Sequence, residues 1–263
     1  MLCATGPAYG RAGVLGQAGG RIGRRGGEGA LGYPRVMDAP RPGIDVPDHR
    51  GRTGLDRTGR DLDRNPDVRV TEVEVLASAW HVLRRTTLDY RTPSGRWETQ
   101  QRETYDRGNG ATVLLYDPVR RTVLLTRQFR YPVYVNDHPD GMLIETAAGL
   151  LDEDDPVTAI RREAAEETGV DIGELEHVWD VYMSPGSVTE RIHFFAAPYD
   201  GAARHGDRGG LAEEGEHIEL LEIGIDEALA MVRDGRIQDA KTIMLLQWAV
   251  LDGPFARGGA REK

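Results

Sequence analysis

Cysteine and long apolar runs are scarce in this sequence, and each shortage excludes a class of protein. Cys3 is the only cysteine among 263 residues, which excludes a disulfide framework and a cysteine-based metal site and favours a reducing compartment. No segment approaches 18 consecutive apolar residues, so neither a transmembrane helix nor a secretory signal is predicted. We therefore expect a soluble, cytoplasmic protein that has no membrane partner.

Net positive charge is also lacking. The chain has 33 basic and 43 acidic residues, which gives a formal net charge of −10. That balance leaves no broad basic surface for a polyanion, so we expect no nucleic-acid partner. Lys241 and Lys263 are the only lysines, a preference for arginine that we interpret as codon bias.

The first quarter of the chain differs in composition from the rest. Residues 1–65 are rich in glycine, arginine and proline and show no periodic apolar pattern. Such a segment cannot bury enough apolar surface to offset the entropy lost on ordering. We expect a disordered leader there or, in part, an over-long gene prediction with a downstream start such as Met37. Residues 254–263 are expected to form a disordered tail.

From residue 66 onward the pattern is that of a folded α/β protein. Residues 66–107 alternate polar and apolar side chains around a turn, which predicts a small antiparallel sheet, and residues 108–253 alternate strands with helices. The clearest helix runs from Pro156 to Thr168. Proline is favoured in the first turn of a helix, and Gly169 is a typical residue at the helix end.

Three glutamates share one edge of this predicted helix. At 3.6 residues per turn, Glu163 and Glu167 lie one above the other, and Glu166 is adjacent. Their negative charges repel one another, and a hard divalent cation such as Mg²⁺ would relieve the repulsion. The alternative is a solvated helix face on which Arg162 pairs with Glu166, and the triplet alone does not decide between the two.

The residues around the triplet resemble the Nudix box. The run Arg162-Glu163-Ala164-Ala165-Glu166-Glu167-Thr168-Gly169-Val170 matches its R-E-U-x-E-E-x-G-U half, in which U is apolar, at every fixed position. The stretch from Gly149 to Arg162 is one residue shorter than the general pattern. Further segments are similar to the GDP-mannose pyrophosphatase subfamily of Nudix hydrolases, whose box is shortened in the same way: residues 102–111, 127–130, 145–152 and 182–190.

That resemblance implies a Nudix α/β/α sandwich with a mixed sheet, preceded by a small antiparallel β N-terminal domain. It also implies a homodimer in which residues 66–107 are exchanged across a two-fold axis. The implied reaction is hydrolysis of a nucleoside diphosphate sugar with Mg²⁺, or Mn²⁺ as a substitute. GDP-mannose would give GMP and mannose 1-phosphate.

Two alternative functions remain open. Gln101 stands where the family carries a lysine, and the lost charge could relax base choice, so ADP-ribose or a broader set of nucleotide sugars is the alternative substrate. The other alternative is a non-catalytic module that senses a nucleotide sugar. Such modules often lose carboxylates of the R-E-U-x-E-E-x-G half of the box, whereas this chain keeps all of those.

The resemblance assigns roles residue by residue. Glu163, Glu167, Glu216 and the backbone carbonyl of Ala148 would hold the metal, Arg162 would orient the carboxylates, and Glu166 would be a further metal or water contact. The predicted catalytic set is therefore Arg162, Glu163, Glu166, Glu167 and Glu216, with Glu213, Glu214 or Glu216 as the general base.

The predicted substrate contacts are Trp80, Arg102, Glu103, Arg130, Ala148, Gly149, Leu150, Glu190 and Lys241. Among them, Trp80 would stack on the base, Arg130 would bind a phosphate and Glu190 would meet the sugar. Arg102 and Glu103 would reach the nucleotide from the partner subunit. The histidines at 81, 177, 193 and 217 show no metal-ligand spacing, which favours structural or exposed roles for them.

Overall fold

The computed structural model describes residues 64–200 and 217–256, together with the backbone of residues 208–209. Nearly all of the predicted leader and most of the predicted tail lie outside these residues, as do Glu213, Glu214 and Glu216. Within the described part, no helix is both long enough and apolar enough to cross a membrane.

The first three strands form an antiparallel sheet of their own, in the order β1-β2-β3. They are Val68–Ser78 (β1), Val82–Arg91 (β2) and Trp97–Asp106 (β3). Gly95 allows the tight turn between β2 and β3 because its φ of 84° is unfavourable for residues with a side chain. A buried ion pair of 3.0 Å between Arg84 and Asp106 ties β2 to the end of β3. This is the small antiparallel sheet that the sequence predicts.

The second sheet has eight strands, and its main path runs β10-β11-β5-β4-β9-β8. Its strands are Gly110–Asp117 (β4), Thr122–Phe129 (β5), Met142–Glu145 (β6), Ala147–Leu150 (β7), Glu176–Tyr182 (β8), Arg191–Pro198 (β9), Arg208–Gly209 (β10) and Ile218–Gly224 (β11). β6 pairs with β5, and β7 pairs with β4. The sheet is mixed because β4 and β9 run parallel while the other pairs are antiparallel.

In the part of the chain that the structure describes, four helices accompany this sheet: Tyr131–Tyr134 (α1), Pro156–Thr168 (α2), Ile225–Arg233 (α3) and Ala240–Leu251 (α4). α2 has the predicted bounds. The Asp155 side chain accepts hydrogen bonds from two backbone N–H groups of its first turn, and Gly169 ends it with a left-handed φ of 70°.

Helices cover both faces of the second sheet. Val113 and Leu115 of β4 pack in one apolar cluster with Ile160 of α2. Leu114, which points the opposite way on the same strand, packs in another cluster with Leu245 of α4. A strand that is buried on both faces needs a continuous apolar run, which is what β4 has. The α/β/α sandwich with a mixed sheet is therefore confirmed.

Candidate active site

A cavity of about 450 Å³ is lined by residues of β4, β6, β7 and β9 of the second sheet and by the start of α4. It brings together residues that are distant in sequence. Six of the nine predicted substrate contacts line it: Arg130, Ala148, Gly149, Leu150, Glu190 and Lys241. The backbone of β7 lines one side of it, and Glu163 and Glu167 of α2 lie against that backbone. We call this the acidic side. The cavity wall also contains a network of ion pairs formed by Arg130, Glu145, Asp239 and Lys241.

Glu167 is the most deeply buried of the α2 glutamates. Its residue surface is 5% exposed, and its Oε2 accepts a hydrogen bond of 3.2 Å from the backbone N–H of Ala148. Burial raises the pKa of Glu167 to about 8, and repulsion from Glu163 adds to the increase. A carboxylate in this position is stabilised by an added positive charge.

Gly149 lets Glu163 lie against β7. A Cβ atom at residue 149 would overlap the carboxyl carbon of Glu163, so only glycine leaves room for that side chain. The Glu163 carboxyl group therefore lies beside the backbone of residues 148 and 149. The predicted Ala148 carbonyl, Glu163 and Glu167 share this side of the cavity.

Arg162 contacts three carboxylates at once. Its Nη1 lies 3.0 Å from Glu163 Oε1 and 3.3 Å from Glu166 Oε2, and its Nε lies 3.6 Å from Asp154 Oδ2. The Arg162–Glu166 pair of the solvated-face alternative is present, but the burial of Glu167 excludes a purely solvated face. Arg162 offsets only part of the charge of Glu163, Glu166 and Asp154, and Arg130 acts on Glu167 while it is itself paired with Glu145. An all-oxygen donor set of this kind fits a hard divalent cation.

A second charged group in the cavity wall consists of two cations and two carboxylates. Glu145 is 4% exposed, and it accepts a hydrogen bond of 2.6 Å from Arg130 Nε and one of 3.3 Å from Lys241 Nζ. Lys241 Nζ also lies 2.7 Å from Asp239 Oδ1. Burial by itself lowers the pKa of Lys241, but Asp239 and Glu145 outweigh it, so the pKa is raised and the ammonium stays charged. This set is balanced in charge.

Four cavity residues with titratable side chains were given no catalytic, metal or substrate role by the sequence: His81, Arg107, Glu145 and Asp239. Arg107 Nε lies 3.4 Å from Glu190 Oε1, which holds a cation beside the predicted sugar contact. Glu145 and Arg107 fall inside segments that carry the family resemblance, and Asp239 is two residues from Lys241. Those positions were the only signals that could have singled them out.

Three predicted substrate contacts do not line this cavity. Trp80 is 66% exposed in the β1–β2 connection, and its neighbour His81 lines the cavity instead. Arg102 and Glu103 lie on β3 and line a different groove, together with residues of the β8–β9 connection. Glu216, the remaining predicted metal ligand, falls in a part of the chain that is not described.

Family comparisons agree with this architecture. The family model described as the GDP-mannose pyrophosphatase NudK N-terminal domain matches residues 67–105, and the NUDIX domain model matches residues 106–246. These matches, together with the mixed sheet and the glutamates of α2, show that the chain belongs to the Nudix hydrolases.

Relatives that match this chain over nearly their whole length carry a more specific name. A protein of Pectobacterium atrosepticum named GDP-mannose pyrophosphatase is 52% identical over 189 residues, which cover 72% of this chain and 97% of the relative. Proteins with the same name from Yersinia enterocolitica and Klebsiella pneumoniae are 53% and 48% identical, and the matched segments cover 68% and 71% of this chain and 93% of each relative.

Proposed function

We propose that this chain hydrolyses the diphosphate bond of a nucleoside diphosphate sugar, with GDP-mannose as the main substrate and GMP and mannose 1-phosphate as products. The main support is that carboxylates fitted for a divalent cation lie against β7, whose backbone lines the same cavity as cationic side chains fitted for phosphates. The names of relatives that are about half identical over nearly their whole length support the choice of GDP-mannose.

The two sides of the cavity divide the work. Glu163, Glu167, the Ala148 carbonyl and Glu216 would hold Mg²⁺, or Mn²⁺ in its place, with Arg162 orienting the carboxylates and Glu166 as a further contact. The bound ion supplies Lewis-acid stabilisation of charge on the phosphate oxygens. Glu213, Glu214 and Glu216 remain the candidates for the general base.

Arg130 and Lys241 would bind the diphosphate, since guanidinium and ammonium groups donate charge-assisted hydrogen bonds to phosphate oxygens. In the free protein both groups are held by Glu145, which keeps them facing the cavity. Glu190, oriented by Arg107, would contact the sugar beside the backbone of residues 148–150. In this arrangement the diphosphate bond that is hydrolysed would lie between the acidic side and the ion-pair network.

We further propose a cytoplasmic homodimer in which residues 66–107 complete the partner's site. Support comes from Arg102 and Glu103, which lie on β3 outside this chain's cavity although the family resemblance gives them a nucleotide contact. Sedimentation velocity should show a dimer. Mixing Arg102→Ala protein with Glu167→Gln protein should restore activity if Arg102 of one protomer contacts the nucleotide bound at the other protomer's site, because one site of each mixed dimer then has both residues intact. Mixtures no more active than their parts would contradict the exchange.

The test of the reaction is product analysis by chromatography and ³¹P NMR after incubation with Mg²⁺ and GDP-mannose, ADP-ribose or UDP-glucose. The proposal expects GMP and mannose 1-phosphate, with kcat/KM highest for GDP-mannose. Preference for ADP-ribose would support the proposed reaction but reject GDP-mannose as the main substrate. Cleavage of none of the three would favour the non-catalytic sensing module.

The broader nucleotide-sugar alternative is kept for one reason, the neutral side chain at residue 101. Gln101 donates to Thr87 Oγ1 at 3.3 Å and carries no charge toward a base. Gln101→Lys restores the cation that the resemblance expects. If Gln101 relaxes base choice, the variant should prefer GDP-mannose over ADP-ribose more strongly than the original chain does.

A further inference from the structure

A β-bulge at the free edge of the second sheet places two residues of β8 on the same face. His177 pairs with Phe195 and Trp179 with Phe194, so Val178 is an extra residue in β8. Residues three apart on a regular strand point to opposite faces, and one extra residue reverses that relation. The bulge therefore turns His177 and Asp180 to the same side of the sheet.

His193 completes a cluster of three on that side. It lies on β9 directly opposite Asp180, and its Nδ1 is 2.6 Å from Asp180 Oδ1. His177 Nε2 lies 2.8 Å from the same oxygen. The three candidate donor atoms lie within 4.8 Å of one another. Sequence spacing could not reveal this cluster, because the residues belong to two strands and the bulge sets their direction.

The cluster is accessible from solvent, and one of its three residues is held in place by the protein core. The side chain of His193 is 10% exposed, whereas those of His177 and Asp180 are 52% and 39% exposed. The ring of His177 also packs edge-on against Phe195 at a centroid distance of 5.4 Å, which limits its orientations. Two of the three groups therefore face water while the third is held by the core, an arrangement with open positions for further ligands.

The donor types select the ligand class. Hydrogen bonds from both histidines lower the pKa of Asp180, so its carboxylate is charged at neutral pH. Two imidazoles and one carboxylate suit Zn²⁺, Ni²⁺ and Cu²⁺, whereas Mg²⁺ prefers oxygen donors. Bond lengths of about 2.0–2.1 Å put the donors of a tetrahedral Zn²⁺ site roughly 3.4 Å apart, so the two contacts to Asp180 have to lengthen by less than about 1 Å each.

We propose that His177, Asp180 and His193 form a binding site for a divalent transition-metal ion, separate from the carboxylate site of the Nudix box. None of the three lines the cavity among the residues that the structure describes. The ion would join β8 to β9 across the bulge and so brace the connection between them, which carries Glu190. Its donors would be Nε2 of His177, Nδ1 of His193 and a carboxylate oxygen of Asp180.

The test uses the full chain, stripped with EDTA and returned to excess Mg²⁺ so that the oxygen-donor site is occupied. Titration with ZnCl₂ is followed by long-range ¹⁵N–¹H correlation spectra of the histidine rings. Of the seven histidines, the proposal expects His177 and His193 to change together, with a metal-bound signature on Nε2 of the first and Nδ1 of the second. Zn²⁺ that leaves both rings unchanged would overturn the proposal.

Variants provide the quantitative part of the test. His177→Gln and Asp180→Asn should each weaken Zn²⁺ binding at this site at least about tenfold, since loss of even an outer partner of a metal ligand costs that much. Glu176→Gln removes an exposed carboxylate from the same strand and should leave the affinity unchanged. Equal Zn²⁺ affinity in the original chain and in His177→Gln would also overturn the proposal.

A stability measurement separates this site from binding elsewhere. Ions that bind the folded state raise the melting temperature. Zn²⁺ added in excess Mg²⁺ should therefore raise the Tm of the original chain and of Glu176→Gln, and raise it less in His177→Gln. An identical Zn²⁺-dependent shift in all three proteins would assign the stabilisation to another part of the chain and contradict the bracing role of the ion.

Discussion

The acidic side and the ion-pair network of the cavity differ in how far their charges are compensated. On the acidic side, Arg162 contacts Glu163 and Glu166, and Glu167 is buried with its pKa raised to about 8 even though Arg130 acts to lower it. On the other side, Arg130 and Lys241 meet Glu145 and Asp239, and the charges cancel. Among the described residues, the acidic side keeps an excess of negative charge, whereas the ion-pair network is already balanced.

This difference in charge compensation indicates the role of each group in binding and turnover. Burying like charges without compensation costs stability, so a fold that keeps them benefits from a cation from outside. The balanced network instead holds two flexible cationic side chains in place before any substrate arrives, which lowers the entropy cost of binding. The acidic side should therefore dominate turnover and the network should dominate affinity.

Glu167→Gln tests that division with the largest expected effect. It removes a proposed metal ligand and one of the repelling charges while keeping the shape of the side chain. We expect kcat at saturating Mg²⁺ to fall about a thousandfold or more, because charge on the phosphate oxygens loses stabilisation. The Tm of the metal-free protein should not fall. Asp171→Asn, at an exposed acid just after α2, should retain normal turnover, and near-normal turnover in Glu167→Gln would reject the ligand assignment.

The raised pKa of Glu167 predicts a stability profile for the metal-free protein. Its carboxyl group has an ordinary pKa of 4.5 when unfolded and about 8 when folded, so unfolding releases its proton at any pH between these values. Stability should therefore be greatest below pH 4.5 for this group and decline toward pH 8, by on the order of 3 kcal/mol. Urea denaturation in EDTA at pH 5 and pH 8 measures the decline.

Two comparisons isolate the contribution of Glu167 to that profile. Glu167→Gln lacks the titrating group, so the difference in unfolding free energy between the original chain and this variant should change with pH in the stated direction. Excess Mg²⁺ should reduce the decline, because the ion favours the ionised carboxylate. A difference that is constant with pH would show that Glu167 titrates normally.

Gly149→Ala tests the geometry of the acidic side without changing its charge. The new Cβ would displace the carboxyl group of Glu163, and a displacement of about 1 Å in a catalytic group can reduce turnover about a hundredfold. The Tm should change little because the end of a flexible side chain can move. Gly173→Ala is the matched control, since its Cβ would enter open space. A Gly149→Ala protein as active as Gly173→Ala would contradict the placement of Glu163.

The features that the sequence predicts are those that depend on residues close to one another in the chain. α2 begins and ends where Asp155, Pro156 and Gly169 place it, and the apolar run of β4 indicates a strand covered on both faces. The box glutamates are equally local, because helical spacing alone puts them on one edge. Fold class and the acidic side of the cavity could therefore be predicted from the sequence alone.

The other side of the cavity depends on contacts that leave no local pattern. Lys241 and Glu145 are 96 residues apart, and Glu145 ends a strand of only four residues, too short to show a period. The family resemblance predicts Trp80 in the cavity, but the turn after β1 exposes it and directs His81 there instead. Such placements arise from the register of paired strands, which sequence periodicity does not determine.

Lys241→Met tests the balanced network and has the smallest expected effect on turnover. It removes one of two proposed phosphate contacts and leaves Arg130 paired with Glu145. A hydrogen bond to a charged group contributes about 1.5–3 kcal/mol, so we expect KM to rise about tenfold or somewhat more while kcat falls much less. Lys241→Arg keeps the positive charge and should fall between the original chain and Lys241→Met. If Lys241→Met had an unchanged KM and a large loss of kcat, Lys241 would act on turnover, as proposed for the acidic side, and not on substrate affinity.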